Sequence, residues 1–331
     1  MYAEKLLPLQ CTSVLAPYMI DFVEQKRALG NKYNACVEVF NGFDRFCNEQ
    51  CLDSLAISKE LLSLWEKKRP HENETTQRIR ISYVRQLCEY LNSNGYEVPG
   101  AFHPVPKKSQ QFVPYIFTKN ELERLFSATD STKPTPSSPI RHLVMPVLFR
   151  LIYTCGLRVS EALRLKVSDV DLDMGMMTIF SAKGDRDRMV AISDSMLKYM
   201  RNYRANPLVT EFSSDYFFPA PDGGFYDTST IYDYFRDYIF MAGIPHRGRG
   251  KGPRLHDLRH SFAVHVLNKW SCEGKDMYTC LPILRVYLGH SRLTATEKYL
   301  RLIPDAYGEL TTPFKDRFQK ITEALSDEKE V

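Results

Sequence analysis

Two helical domains, the second interrupted by a small β-hairpin, are what the sequence predicts. Three observations carry this. At 331 residues the chain exceeds one compact core of ordinary size, so two domains are expected. Apolar residues recur at helical spacing through most of its length. One short region, Met176 to Ile192, switches to strand-like runs around a charged tip.

Residues 13–95 read as four amphipathic helices. Val14, Leu15, Tyr18, Met19, Phe22 and Val23 mark the first, which stops at Leu29-Gly30. Val37, Phe40, Phe43 and Phe46 mark the second. Leu61, Leu62, Leu64 and Trp65 mark a third that ends before Pro70. Ile79, Tyr83, Leu87 and Leu91 mark a fourth, running from about Thr75 to Gly95. The basic residues Lys26, Arg27, Lys32, Lys67, Lys68, Arg69, Arg78, Arg80 and Arg85 are placed on outward faces, the ordinary position for charge on a small bundle. Prolines and Lys107-Lys108 between 99 and 114 have linker chemistry, which sets domains of 1–110 and 115–331.

The second domain opens on a capping box, Thr118-x-x-Glu121, ahead of a helix through Ala128. A proline-rich loop follows at 131–139, then the strongly apolar stretch Leu143 to Tyr153, the expected centre of the core. After the hairpin, helices are expected at Ser195–Tyr203, Ser229–Met241, Leu258–Asn268, a short piece before Leu288, and Thr294–Arg301. Trp270 to Pro282 reads as an extended loop. Phe314, Phe318, Ile321 and Leu325 lie on one stripe of a tail helix that packs either on its own domain or on a neighbour.

Composition narrows the function classes. Hydrophobic and charged contents of 44% and 25% are those of a globular protein. No leader pattern and no membrane-length apolar run is present, so the chain is expected in the cytoplasm. Eight cysteines without a repeated zinc spacing are expected to be reduced thiols. Net charge is only +4, but five Arg/Lys stand against one Asp between His246 and His260. Arg247, Arg249, Lys251 and Arg254 in this Gly-rich loop, with Lys107 and Lys108 in the linker, are candidate DNA-phosphate contacts.

The chemistry-bearing residues fall between 158 and 299. Arg158 follows Gly156 at a helix start, with Glu161 one turn on to hold its guanidinium. His256 and Arg259 share a helical face in H-D-L-R-H; His290 ends L-G-H; Tyr299 follows nine residues later. Each alone has a bland reading as a surface ion pair, a cap or one of 19 tyrosines. Together, guanidinium forks suit phosphate oxygens, and a phenol can attack phosphorus to hold the product as an ester. H-D-L-R-H also places two imidazoles as in a zinc hydrolase helix, although Arg259 would then face the metal.

In order and spacing, Arg158, the hairpin lysine Lys183, H-x-x-R, L-G-H and Tyr299 resemble the tyrosine recombinase or phage integrase family over about residues 118–305. The resemblance implies an N-terminal core-type DNA-binding bundle and a C-terminal mixed α/β catalytic domain. It implies that Arg158, His256, Arg259 and His290 bind the scissile phosphate, that Lys183 is the general acid and that Tyr299 is the nucleophile, with Glu161 supporting Arg158. It further implies double-stranded DNA recombination sites as partners, a tetramer on two of them, and no metal or nucleotide cofactor. Proton removal from Tyr299 is assigned to His256. A type IB topoisomerase-like relaxing enzyme and an inactive DNA-binding relative remain alternatives.

Overall fold

The structure is a computed structural model and describes residues 6–30, 33–55, 57–99, 113–180, 187–246, 248, 252–300 and 302. The chain divides into two compact units, Met1–Phe112 and Val113–Val331. Among the described residues, no helix is long and apolar enough to cross a membrane.

The first unit is a bundle of α1 (Ala16–Ala28), α2 (Asn34–Glu49), α3 (Lys59–Glu66) and α4 (Glu74–Ser93). Phe22, Phe40, Phe43 and Trp65 fill its centre, Phe43 meeting Trp65 edge to face at 4.9 Å. Buried Asp44 of α2 accepts the backbone N–H groups of Thr12 and Ser13 at 2.9 and 2.8 Å, which pins the approach to α1. Ser58 and Asn73 cap α3 and α4 through their side chains.

Two expectations are corrected here. Arg80 does not face outward. It is 4% exposed, donates to both carboxylate oxygens of Glu72 at 2.8 Å and to the Trp65 and Lys67 carbonyls, and lies over the Trp65 ring. A guanidinium can be buried when nearly every N–H has an acceptor, and here the end of α3 supplies carbonyls. Ile79 and Leu64, placed in the apolar stripes, are exposed, and Ile81 and Val84 take the inward positions of α4. Lys32 and the tail stripe from Phe314 to Leu325 lie outside the described residues.

The second unit is built around α6 (Arg141–Thr154), the apolar stretch expected to be central. The other elements are α5 (Lys119–Asp130), α7 (Val159–Leu163), β1 (Val170–Asp171), β2 (Met176–Ile179), β3 (Arg188–Ala191), α8 (Asp194–Arg204), α9 (Pro207–Thr210), α10 (Thr228–Met241), α11 (Asp257–Cys272), α12 (Met277–Leu288) and α13 (Thr294–Leu300). The capping box on α5 is present in full. Ser261 of α11 donates to the Asp257 carbonyl and accepts the Phe117 N–H, tying the start of the domain to α11.

The sheet has a third strand beyond the expected hairpin: antiparallel order β1-β2-β3, with Met177 opposite Val190 and Thr178 opposite Met189. Period-two alternation turns Met177, Ile179 and Val190 into the core. The same alternation carries Arg188 inward, two residues before Val190.

The extended loop expected at Trp270–Pro282 is instead mostly helix. α11 continues through Cys272 and α12 begins at Met277, leaving only Glu273 to Asp276 as the connection. Asp276 is the missed start signal, accepting from the Tyr278 N–H and the Thr279 hydroxyl. Pro282 sits inside α12 on its exposed face, where its missing N–H forfeits one bond without ending the helix. The expected short piece before Leu288 is therefore three turns long. Its inner face joins α11 and α13 in a second apolar cluster that includes Leu267, Leu281, Leu284, Leu288 and Tyr299.

Candidate active site

Two glycines shape the site. Gly156 closes α6 at φ 58°, and a Cβ there would meet Phe262 Cδ1 at 2.4 Å. Gly289 ends α12 at φ 65°, where a Cβ would fall 2.8 Å from Arg188 Nη1. Only glycine fits both the positive φ and the missing space. Both carbonyls are then free to accept from arginines. Arg259 Nη1 donates to Gly156 O at 2.8 Å and Arg158 Nη2 to Gly289 O at 3.0 Å.

Glu161 is the anionic node. Its Oε1 accepts from Arg158 Nη1 at 2.8 Å and Arg188 Nη1 at 3.0 Å. Its Oε2 accepts from the Arg158 backbone N–H at 2.9 Å and Arg188 Nη2 at 2.8 Å, and lies 3.8 Å from Arg259 Nη1. Burial alone would raise the Glu161 pKa, but the Arg188 hydrogen bonds and charge, with the Arg158 N–H and Arg259, hold it below the usual range. The carboxylate therefore supports Arg158 as expected and also gathers a third guanidinium.

Arg188 is the site residue that the sequence reading does not single out. It forks onto Glu161 and donates Nε to the Tyr287 carbonyl at 2.9 Å. Its place at an inward register position of β3 is the signal that was available.

Arg259 is 1% exposed, and its second anchor is Leu288 O, 2.6 Å from Nη2. Burial, with the charges of Arg158 and Arg188, lowers its pKa to about 10 against the pull of Glu161, so it remains a cation at neutral pH. Five N–H donors less two carbonyl bonds leave three to serve a phosphate.

Tyr299 is 4% exposed, on α13. Its hydroxyl meets His260 Nδ1 at 2.9 Å. Burial raises the phenol pKa, against the lowering charge and hydrogen bond of Arg259 and the charge of Arg158. The ring of His290 stacks 6.1 Å from that of Tyr299, and His290 Nδ1 pairs with the buried Thr296 hydroxyl at 2.9 Å. With Nδ1 taken, the imidazole turns Nε2 toward any bound oxyanion.

His256 is the exposed N-cap residue of α11, its ring edge-on to His260 at 4.7 Å. The hydroxyl partner given by the geometry is thus His260, not the His256 to which proton removal was assigned. Among the described residues, no group of three His, Cys, Asp or Glu is placed to hold a metal. Arg254, a candidate DNA contact, donates its N–H and Nη2 to Asp257 at 2.8 and 3.3 Å, and its side chain is 39% exposed. Lys183, Lys107, Lys108, Arg247, Arg249 and Lys251 lie outside the described residues.

The cationic pocket has a pH signature. Burial first, then neighbouring cations, depresses His260 and His290 from 6.5 to about 3, and His256 and His265 shift in the same direction. The unfolded chain therefore binds more protons than the folded one below about pH 6.5, so stability is complete above that pH and is lost on acidification. After discounting for solvent screening, urea unfolding should show a loss on the order of 2 kcal/mol between pH 7 and pH 5, before the carboxylates titrate. A stability that holds level or rises over that interval would contradict this electrostatic picture.

Fold and site together gather a buried phenol, two imidazoles and three guanidiniums around one carboxylate, a set of donors suited to a phosphate. Residues 116–304 match the model of the phage integrase family. A Sinorhizobium fredii protein, y4rB, described as an integrase/recombinase, is 28% identical over 310 residues, covering 91% of this chain and 97% of its own. The tyrosine recombinase XerD of Proteus mirabilis is 30% identical over 66% of this chain and 65% of its own. The solved structure of the XerH site-specific recombinase bound to a palindromic difH substrate superposes with a TM-score of 0.62 at 20% identity, over 83% of this chain and 76% of that one, a likeness of fold. The chain belongs to the phage integrase family and is a tyrosine recombinase, an enzyme of DNA strand cleavage and rejoining.

Proposed function

We propose that the chain is a site-specific recombinase that integrates, excises or transposes a mobile element through a covalent 3′-phosphotyrosine. The observation that carries the reading is the Tyr299 hydroxyl, seated against Arg259 and hydrogen-bonded to an imidazole. Arg158 is aimed by the same carboxylate that faces Arg259.

As phosphorus becomes five-coordinate, charge builds on its non-bridging oxygens. Arg158 and Arg259 stabilise that charge as fixed forks, with His256 and His290 donating further hydrogen bonds. Lys183 protonates the departing 5′ oxygen. The ester keeps the phosphodiester bond energy, so the freed 5′ hydroxyl of a partner duplex can attack it and reseal the strand. The first unit, with Lys67, Lys68 and Arg69 exposed at the end of α3, grips the duplex, and four protomers assemble on two sites.

A plasmid carrying two copies of the mapped target duplex should be resolved into smaller circles or inverted between the sites, also in excess chelator. A plasmid without sites should keep its supercoils. Equal relaxation of both plasmids, without exchange, would make the protein a relaxing enzyme instead.

A further inference from the structure

We infer that His260, the residue after the arginine of H-x-x-R, accepts the proton of Tyr299 during strand cleavage and returns it during rejoining. This rests on the proposed recombinase chemistry and assigns one of its steps. The assignment stands on geometry. His260 Nδ1 lies 2.9 Å from the Tyr299 hydroxyl, within the reach a general base needs. His256 sits one helical turn earlier, exposed at the mouth, and meets the ring of His260 rather than the phenol. The two imidazoles therefore divide the work: His256 toward the phosphate, His260 toward the nucleophile.

The step balances. The Tyr299 O–H bond breaks and its proton passes to Nδ1 of an imidazole already carrying hydrogen on Nε2. The electron pair left on the phenol oxygen forms the P–O bond as the P–O5′ bond breaks. The leaving oxygen takes its proton from the general acid. In the reverse step the imidazolium reprotonates the phenol as the 5′ hydroxyl attacks. Arg259, whose charge acts on the phenol, stabilises the phenolate character that develops between these events.

The charges around His260 make this transfer depend on substrate. Arg254 faces it from the loop before α11, His256 and Arg259 from α11 itself, His290 from the end of α12 and Tyr299 from α13. In the DNA-free site, burial first and then the surrounding imidazoles and guanidiniums hold the ring neutral, with its pKa at about 3. A seated phosphate brings negative charge among Arg158, Arg259 and His290, cancels that field and raises the basicity of His260. The base is weak until DNA is present, which keeps the phenol protonated at rest.

The test is single-turnover formation of the covalent complex on a nicked suicide duplex, from pH 6 to 9. It compares wild type with His260→Ala, His260→Gln and His256→Ala, each with tyrosine or a more acidic fluorotyrosine at position 299. Wild type should be nearly flat with pH. Loss of the base should slow cleavage by about 10²–10⁴-fold. The His260 variants should then gain about tenfold per pH unit, following the phenolate fraction, and recover substantially with fluorotyrosine. His260→Gln, close in size and polar, keeps the test valid should His260→Ala fail to fold. If the His260 variants keep the wild-type pH profile, or fluorotyrosine does not rescue them, the inference is overturned. It is equally overturned if the pH dependence and rescue belong to His256→Ala. Failure of wild type to form any complex would instead sink the recombinase reading itself.

Discussion

Arg259→Lys is expected to lower the rate of strand cleavage by about 10²–10³-fold while leaving a folded protein, the loss found when one fixed oxyanion donor is removed. The guanidinium is fully buried and spans two carbonyls, Gly156 O and Leu288 O, that belong to different helix ends. An ammonium on a flexible stem can reach one of them and has no planar fork for a phosphate. The stranded carbonyl should also cost roughly 1–3 kcal/mol of stability. Single-turnover cleavage beside urea unfolding separates the two effects. A lysine variant that cleaves at the wild-type rate would show that the fork does not clamp the transition state.

Glu161→Gln should be the most destabilising single-atom change in the second unit. The carboxylate compensates Arg188 and Arg259, whose side chains are 6% and 1% exposed, and also holds the more open Arg158. Removing the charge leaves three guanidiniums around a neutral amide, one end of which now points N–H groups at N–H groups. Loss of one partner from a buried ionic group costs about 3–5 kcal/mol, because the remaining charges are stranded. Chemical denaturation at pH 7 measures it, and bound duplex DNA should return part of the loss by bringing phosphate charge into the pocket. A change below about 1 kcal/mol would mean that the guanidiniums find other anions or water.

Much of this arrangement was legible in the sequence, for identifiable reasons. The Thr118–Glu121 capping box, the glycine before Arg158 and the glycine before His290 are local signals: each is a backbone need met by a residue type within a few positions. Glu161 was legible because its partner is three residues away. The misses share a different cause. Arg188 owes its role to Glu161, 27 residues earlier, and Arg80 is buried because carbonyls at the end of α3 and the Glu72 carboxylate surround it. Neither partner is visible along a one-dimensional pattern, which places charged residues outside by default. His260 has no signal of its own along the chain, and only the packing of α13 onto α11 sets it against Tyr299. Trp270–Pro282 is helical rather than an extended loop because the side chain of Asp276 caps the start of α12, a local signal the sequence reading passed over.

The central claim is that Tyr299 becomes covalently joined to DNA. Trapping the protein on a nicked suicide duplex, digesting both components and locating the residual nucleotide by mass spectrometry tests it most directly. The account predicts a 3′-phosphodiester on the peptide containing Tyr299, and no denaturant-stable complex from Tyr299→Phe, which should still bind the duplex. A nucleotide on any other residue, or an adduct that persists in Tyr299→Phe, would contradict it.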